Sequence, residues 1–195
     1  MLSYKDSLKI LRKTNALLDG HFVLSSGLHS DRYVQCAKLL SYPKQAFKIC
    51  NSLSKKIKKS FTSIDLILSP AIGGIVVGYE IGRQLNIETI FVERKNGKFR
   101  LRRGFSIKKN TRILIVEDVI TTGKSSLECV NIIKKYKAKL VGFACIIDRS
   151  SKKNLLIKGK KIISQVKLKI PLYKKNKLPS FLSKKAFIKP GSRHL

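Results

Sequence analysis

Two adjacent acids stand at the end of an apolar run and just before a turn. Glu117 and Asp118 follow residues 113–116, Ile-Leu-Ile-Val, and the turn at 121–125 is Thr-Thr-Gly-Lys-Ser. Such a turn offers backbone N–H groups and hydroxyls, and the positive end of a helix that begins there favours a phosphate. Carboxylates beside this turn suit a ligand with an anionic end and a polyol or metal-bound part, and a sugar phosphate meets that description.

Two other interpretations of this segment are weaker. Gly123-Lys124-Ser125 resembles the end of the phosphate loop of nucleoside triphosphatases, but that loop needs a glycine where this chain has Asp118. The segment could instead be an ordinary buried strand with a helix cap. Two acids directly after an apolar run are costly to bury without a ligand or cations, however, so we favour a binding site.

Strand and helix patterns alternate along the chain and indicate how this segment is held. Apolar runs rich in β-branched residues predict strands at 64–68, 89–92, 112–116 and 140–147. Helical spacing of apolar residues predicts helices at 3–18, 44–59, 75–85 and 125–136. This α/β alternation predicts a mostly parallel sheet covered on both faces, and such sheets bind ligands beyond the carboxyl ends of their strands.

The remaining segments are assigned from polarity. Residues 162–170 partly alternate and suit an edge strand guarded by lysines. The basic stretch 96–104 and the stretch 174–193 are predicted to be loops, the former because it is too polar to be buried. We find no internal repeat and no clear linker, which indicates one domain over residues 1–195.

Composition narrows the class of protein. Nothing approaches ~18 consecutive apolar residues, and the start of the chain does not resemble a secretory leader, so we expect a cytoplasmic protein without a membrane partner. The four cysteines form no CxxC pair, which argues against a zinc site and favours reduced thiols.

Lys and Arg number 42 against 11 acids, a formal net charge of +31. That charge would attract polyanions, but the lysines are spread along the whole chain, so we favour compositional drift over a nucleic-acid partner.

Residues 112–126 resemble the signature of type I phosphoribosyltransferases: an apolar strand, two acids and a Thr-Thr-Gly turn. Residues 20–35 resemble the N-terminal hairpin that covers orotate in one branch of that family, and residues 69–74 resemble its diphosphate loop. Residues 143–149 resemble its strand that ends in an orotate-binding arginine, and the ending 189–193, Lys-Pro-Gly-Ser-Arg, occurs in part of that branch. The resemblance implies the type I fold: a parallel core at about 44–170 and a small hood formed by about 1–40 with the C-terminal segment.

The resemblance also implies roles for individual residues. The residues expected to bind the donor, 5-phospho-α-D-ribose 1-diphosphate (PRPP), are Gly73, Gly74, Arg94, Lys95, Lys98, Glu117, Asp118, Val119, Ile120, Thr121, Thr122, Gly123, Lys124 and Ser125. Those expected to bind orotate are Tyr33, Thr121 and Arg149. Glu117, Asp118 and Lys95 are expected to act in catalysis. Simpler roles stay open for some of these residues: Gly74 could allow close helix packing together with Gly78 and Gly82, Arg149 could lie on the surface, and Tyr33 could belong to the core.

The implied reaction transfers phosphoribose from PRPP to orotate and yields orotidine 5′-phosphate and diphosphate, a step of pyrimidine biosynthesis. Mg²⁺ is the implied cofactor, held mainly by the substrate, with no certain protein ligand. A basic lid, residues 94–103, is implied to be shared across a homodimer. The chain departs from the better-known pattern at Ser25, where a lysine is usual, and in the lid, which lacks histidine. A purine-base phosphoribosyltransferase and a nucleic-acid-binding regulator on the same fold stay as alternatives.

Overall fold

A six-stranded sheet forms the centre of the computed structural model, which describes residues 1–24, 26–151, 155–157 and 159–190. Its strands, in chain order, are β3 (Leu66–Pro70), β4 (Thr89–Lys95), β5 (Lys98–Leu101), β6 (Arg112–Ile120), β7 (Lys139–Asp148) and β8 (Ile162–Lys167). In space the order is β5-β4-β3-β6-β7-β8, and every neighbouring pair except β4 with β5 is parallel. The predicted fold class and the predicted strands are confirmed, including β8 at the edge.

Helices cover both faces of this sheet. Those that pack on it are α1 (Tyr4–Lys13), α3 (Pro43–Ser60), α4 (Gly73–Leu85) and α5 (Lys124–Lys135). Helix α2 (Cys36–Leu40) packs on α3 and α4, and the short α6 (Ser180–Ser183) lies in the C-terminal segment. None of the helices within the described ranges is long and apolar enough to cross a membrane. The predicted helices at 44–59, 75–85 and 125–136 are confirmed, with ends that differ by one or two residues.

Strand β6 separates two hydrophobic core clusters. Leu114 and Val116 pack into the cluster that contains α3 and α4, whereas Ile113 and Ile115 pack into the cluster that contains α5. Successive side chains of a strand point to opposite faces. The alternation therefore sends consecutive β6 residues toward different helices.

The prediction of one helix over residues 3–18 is wrong at its C-terminal end. Helix α1 ends at Lys13, and Asn15 takes a left-handed conformation with φ of 55°. Asparagine tolerates that conformation better than most residues. The chain then turns into β1 (Leu17–Val23), so Leu17 and Leu18 continue the apolar pattern but belong to a strand.

The prediction of a loop at residues 96–104 is also wrong. Strands β4 and β5 form a hairpin across Asn96 and Gly97, which both have positive φ, 51° and 75°. An Asn-Gly pair with positive φ at both positions suits the tightest class of β-hairpin turn. Phe99 anchors the hairpin in the core, where it is buried among the residues that also contact α5.

A small antiparallel pair of strands, β1 and β2 (His29–Val34), lies apart from the central sheet. The C-terminal segment is bridged to it, because Ile188 pairs with Phe22 and Tyr173 pairs with His29. The predicted loop at 174–193 contains a 3₁₀ turn, Lys175–Lys177, and α6 within its described part. Ser25 and the Gly-Ser-Arg end of the 189–193 sequence lie outside the described residues.

Candidate active site

The two acids at the end of β6 face different elements. Glu117 continues the β6 side that packs on α5, and its Oε1 accepts a hydrogen bond from the Ser126 hydroxyl of that helix. Asp118 continues the other side and lies against Gly73 at the start of α4. The adjacent carboxylates therefore diverge around the end of the strand, with one helix N-terminus beside each.

Both carboxylates are held with little compensation for their charge. Glu117 is 7% exposed. Its pKa is raised to about 7: burial is the largest cause, the Ser126 hydrogen bond lowers the pKa, and the charge of Asp118 raises it. Burial also raises the pKa of Asp118, against a hydrogen bond from the Val119 N–H at 2.9 Å. No ion pair in the described part of the chain includes either acid. Acids in this condition are typical of functional sites.

The turn after the acids leads directly into α5. Gly123 is the N-cap residue with φ of 74°, and a Cβ at that position would lie 2.8 Å from the Ile157 side chain. Glycine is therefore required at this position both for the backbone conformation and for space. Thr121, Thr122 and Lys124 are exposed beside it, and Ser125 is half-buried. This places hydroxyl groups and the first N–H groups of α5 together, an arrangement that suits a phosphate.

Val119 and Ile120 of the predicted donor site are strand residues. Ile120 is buried and Val119 is packed on the core. Their side chains are thus committed to packing, so a contact with the donor would come from their backbone groups. The Ile120 carbonyl already accepts the Arg149 N–H at 2.8 Å, which fixes the end of β7 beside Thr121.

Gly73 and Gly74 begin α4, directly after the cis peptide bond between Ala71 and Ile72. A Cβ on Gly73 would lie 2.8 Å and 2.9 Å from the two Asp118 carboxylate oxygens, and one on Gly74 would lie 3.2 Å from the Val116 carbonyl. Gly78 and Gly82 have a different environment, because they pack against Ser69 and Thr89. The packing role left open for the three glycines fits Gly78 and Gly82 best, while Gly73 is set against the candidate site.

The lid residues do not converge on the acids in this structure. Arg94 forms two hydrogen bonds with the Glu128 carboxylate, each 3.0 Å long, and its guanidinium lies 4.0 Å from the Phe99 ring centroid. Lys95 and Lys98 face each other at the end of the β4–β5 hairpin and are exposed. Within the described residues, neither lysine contacts Glu117 or Asp118.

Arg149 directly follows β7 and lies close to Tyr33 of β2. Burial lowers the pKa of the Arg149 guanidinium, and the nearby Tyr33 hydroxyl acts in the opposite direction. The Arg149 Nε is buried and has no hydrogen-bond partner among the described residues. Tyr33 is half-buried and packs against Phe22 at 5.7 Å between ring centroids. Since a buried donor without a partner is costly, this guanidinium is suited to an anionic ligand.

Sequence reasoning missed three residues that shape the site: Ser126, Ile157 and Glu128. The contact of Ser126 with Glu117 is not evident from local sequence, because it depends on which face of β6 carries Glu117. The alternating apolar residues of β6 contain that information. Ile157 and Glu128 act through contacts with Gly123 and Arg94, for which the sequence gives no local sign.

Comparisons with known proteins agree with this geometry. The model of the phosphoribosyl transferase domain family matches residues 40–173. The chain is 46% identical over 96% of both chains to orotate phosphoribosyltransferase of Parvibaculum lavamentivorans, and 43% identical to that of Caldicellulosiruptor bescii over 95% of this chain and 96% of the relative.

Solved structures share the fold. The orotate phosphoribosyltransferase of Aeropyrum pernix has a TM-score of 0.70 at 24% identity, covering 83% of this chain and 93% of its own. The adenine phosphoribosyltransferase of Thermoanaerobacter pseudethanolicus has a TM-score of 0.60 at 17% identity, and the match covers 70% of this chain and 88% of that one. This chain belongs to the phosphoribosyltransferase family.

Proposed function

We propose that the protein transfers phosphoribose from PRPP to orotate in the cytoplasm, giving orotidine 5′-phosphate and diphosphate. The observation that carries the choice of orotate is the buried Arg149 Nε, which has no partner in the described part of the chain and lies beside Tyr33 and next to the phosphate turn. A guanidinium can hold the orotate carboxylate through two parallel hydrogen bonds. The names of the relatives that cover nearly the whole chain support the same substrate.

The donor would lie across the carboxyl end of β6. The Glu117 and Asp118 carboxylates would accept hydrogen bonds from the ribose hydroxyls, while Thr121, Thr122, Gly123, Lys124 and Ser125 would hold the 5′-phosphate, with backbone groups of Val119 and Ile120 alongside. Gly73 and Gly74 would leave room for the diphosphate at the start of α4. Thr121 would contact both ligands, because it begins the turn and directly follows Ile120, whose carbonyl accepts the Arg149 N–H.

In the proposed reaction the bond between ribose C1 and the diphosphate oxygen breaks, and a bond from C1 to a ring nitrogen of orotate forms. That nitrogen loses its proton, which the departing diphosphate can accept. Diphosphate leaves with the bonding electrons, and positive charge develops on the sugar. Fixed carboxylates close to that sugar stabilise the charge as it develops. Since both substrates are also held in place, catalysis rests on positioning and electrostatics.

Mg²⁺ fits this site as an ion carried by the donor. In the described part of the chain no three His, Cys, Asp or Glu side chains come together as a metal site. The ion prefers diphosphate oxygens, water and one or two carboxylates. When bound, it would neutralise charge on the departing diphosphate, and no side chain of this protein is assigned to it.

The lid is proposed to close over the diphosphate with Arg94, Lys95 and Lys98, and Lys95 is the proposed catalytic lysine. We further propose a homodimer in which residues 94–103 are shared between subunits. An apolar stripe supports this assembly: Ile72, Val76 and Tyr79 follow helical spacing along α4 and are 87%, 50% and 65% exposed. Light scattering should give twice the chain mass, and Tyr79→Glu should lower it to the monomer.

Two other functions have specific support. The fold shared with adenine phosphoribosyltransferases fits a purine base as acceptor, and the +31 charge fits a nucleic-acid-binding regulator. A panel of acceptors tests all three functions: orotate, adenine, hypoxanthine and uracil, each with PRPP and Mg²⁺, with release of diphosphate as the readout. Release with orotate alone supports the proposal. Release with a purine overturns it, as does no release at all combined with salt-sensitive RNA binding.

A further inference from the structure

Glu117 is a buried carboxylate with a single hydrogen-bond donor. Among the described residues only the Ser126 hydroxyl, itself fully buried, donates to it. The remaining oxygen, Oε2, is left open for a ligand. A carboxylate that is removed from water keeps its charge and its orientation through such donors.

Among the residues that the structure describes, the charged and titratable groups around Glu117 do not supply a cation. Asp118 follows it on β6, Cys129 and Glu128 lie on α5, and Cys145 lies opposite on β7. Burial raises the pKa values of the Cys129 and Cys145 thiols well above their ordinary value, so both thiols stay neutral at physiological pH. Arg94 lies near Cys129 but is committed to Glu128.

Ser126 occupies a particular place in the site. It is in the first turn of α5, the helix that begins at the turn proposed to hold the 5′-phosphate. The helix that would bind the phosphate thus also sets the direction of a carboxylate proposed to bind the ribose. A rotation or shift of α5 would move both contacts together.

We propose that Ser126 is a positioning residue: its hydroxyl holds Glu117 in the ionised form, with Oε2 directed at the ribose hydroxyls of the donor. This inference rests on the proposed function for the ribose contact, whereas the pairing of Ser126 with Glu117 can be tested without it. Ser126 does not touch the reacting atoms and acts through Glu117.

The first test measures kcat/KM for PRPP from pH 5.5 to 9.5. Losing a hydrogen bond to a charged group should move the acid limb of the profile of Ser126→Ala upward by about one to two pH units. Activity should therefore fall by roughly tenfold or more at pH 6.5 and by less than about threefold at pH 9. Ser126→Thr, which keeps the hydroxyl, should restore the profile.

The matched control is Ser54→Ala. It removes the hydroxyl of a buried serine of α3 that has no hydrogen-bond partner among the described residues, so the pH profile of this variant should equal that of the wild type.

A second readout does not depend on activity. NMR spectra of protein labelled with ¹³C in the glutamate side-chain carboxyls contain signals from five residues. The signal that disappears in Glu117→Gln is the signal of Glu117. Its titration should move to higher pH in Ser126→Ala and return in Ser126→Thr. If Ser126→Ala does not fold, Ser126→Cys, a weaker donor of similar size, replaces it in both tests.

The outcomes separate the two claims. Equal Glu117 titration in wild type and Ser126→Ala overturns the role of Ser126, as does a loss of activity that is uniform across pH. A wild-type protein that is inactive with orotate, combined with a shifted Glu117 titration, overturns the proposed function and leaves the pairing intact.

Discussion

Arg94 of β4 and Glu128 of α5 form a two-pronged ion pair, with both nitrogen–oxygen distances at 3.0 Å. The pair ties the base of the lid to the helix that begins at the phosphate turn. Because Arg94 is proposed to contact the diphosphate, Glu128 and the donor compete for the same guanidinium. The described conformation therefore corresponds to a lid held away from the acids.

Releasing that pair should favour closure. Exposed ion pairs contribute about 0–1 kcal/mol, so Glu128→Gln should lower the KM for PRPP by up to about fivefold. The KM for orotate should change less, because Arg149 is unaffected. Steady-state kinetics at low salt checks this prediction, and a higher KM for PRPP would instead assign Glu128 a direct part in donor binding.

Glu117 should reduce stability at neutral and alkaline pH. Its pKa is raised from the ordinary 4.5 to about 7, so between these values the folded state holds a proton that the unfolded chain releases. Stability from this group is therefore lost as pH rises through that interval, by up to about 3 kcal/mol. Glu117→Gln should raise the free energy of unfolding by up to that amount at pH 8 and by almost nothing at pH 4.5. The variant should also lose activity. Urea unfolding at both pH values provides the test, and equal gains would show that the effect is not one of ionisation.

Arg149 should determine the affinity for the acceptor. Arg149→Gln removes the charge and the paired donors, so the KM for orotate should rise by roughly 100-fold, corresponding to about 3 kcal/mol. The affinity for PRPP alone, measured by calorimetry, should change less than about threefold. A variant that loses PRPP affinity to the same degree would show that Arg149 supports the fold of the site and not the acceptor.

Two glycines of α4 should respond differently to the same substitution. Gly73→Ala places a methyl group 2.8 Å from an Asp118 oxygen and should weaken PRPP binding by more than about tenfold with a small change in stability. Gly82→Ala places a methyl group 2.8 Å from the Ile87 carbonyl. Because Gly82 does not contact either acid, this substitution should instead lower the free energy of unfolding by about 1–3 kcal/mol. Thermal unfolding and PRPP calorimetry on both variants distinguish the two effects. The reverse pattern would contradict the assignment of Gly73 to the site.

The parts of the site that lie in one short segment could be predicted from sequence. Glu117, Asp118 and the 121–125 turn are consecutive, so the strand end, the acids and the helix start were found together. The directions of the two acids could also have been inferred, because Ile113 and Ile115 alternate with Leu114 and Val116.

Other features depend on local conformation or on contacts between distant segments. Asn96-Gly97 marks a hairpin, but the lysines and arginines around it predict an exposed loop, because the burial of Phe99 depends on its packing against distant segments. The ion pair of Arg94 with Glu128 could not be predicted, because nothing near Arg94 in the sequence indicates Glu128. The end of α1 was missed because Leu17 and Leu18 keep the apolar content high across the break at Asn15.

The most direct test of the proposed function is the absorbance of orotate, followed with purified protein, PRPP and Mg²⁺. We expect a loss of orotate absorbance that requires both PRPP and Mg²⁺. Asp118→Asn should slow that loss by about 100-fold or more, because a carboxylate close to the developing charge is removed, while its unfolding curve stays near that of the wild type. Unchanged orotate absorbance with the wild-type protein, or an Asp118→Asn variant as fast as wild type, would contradict the account.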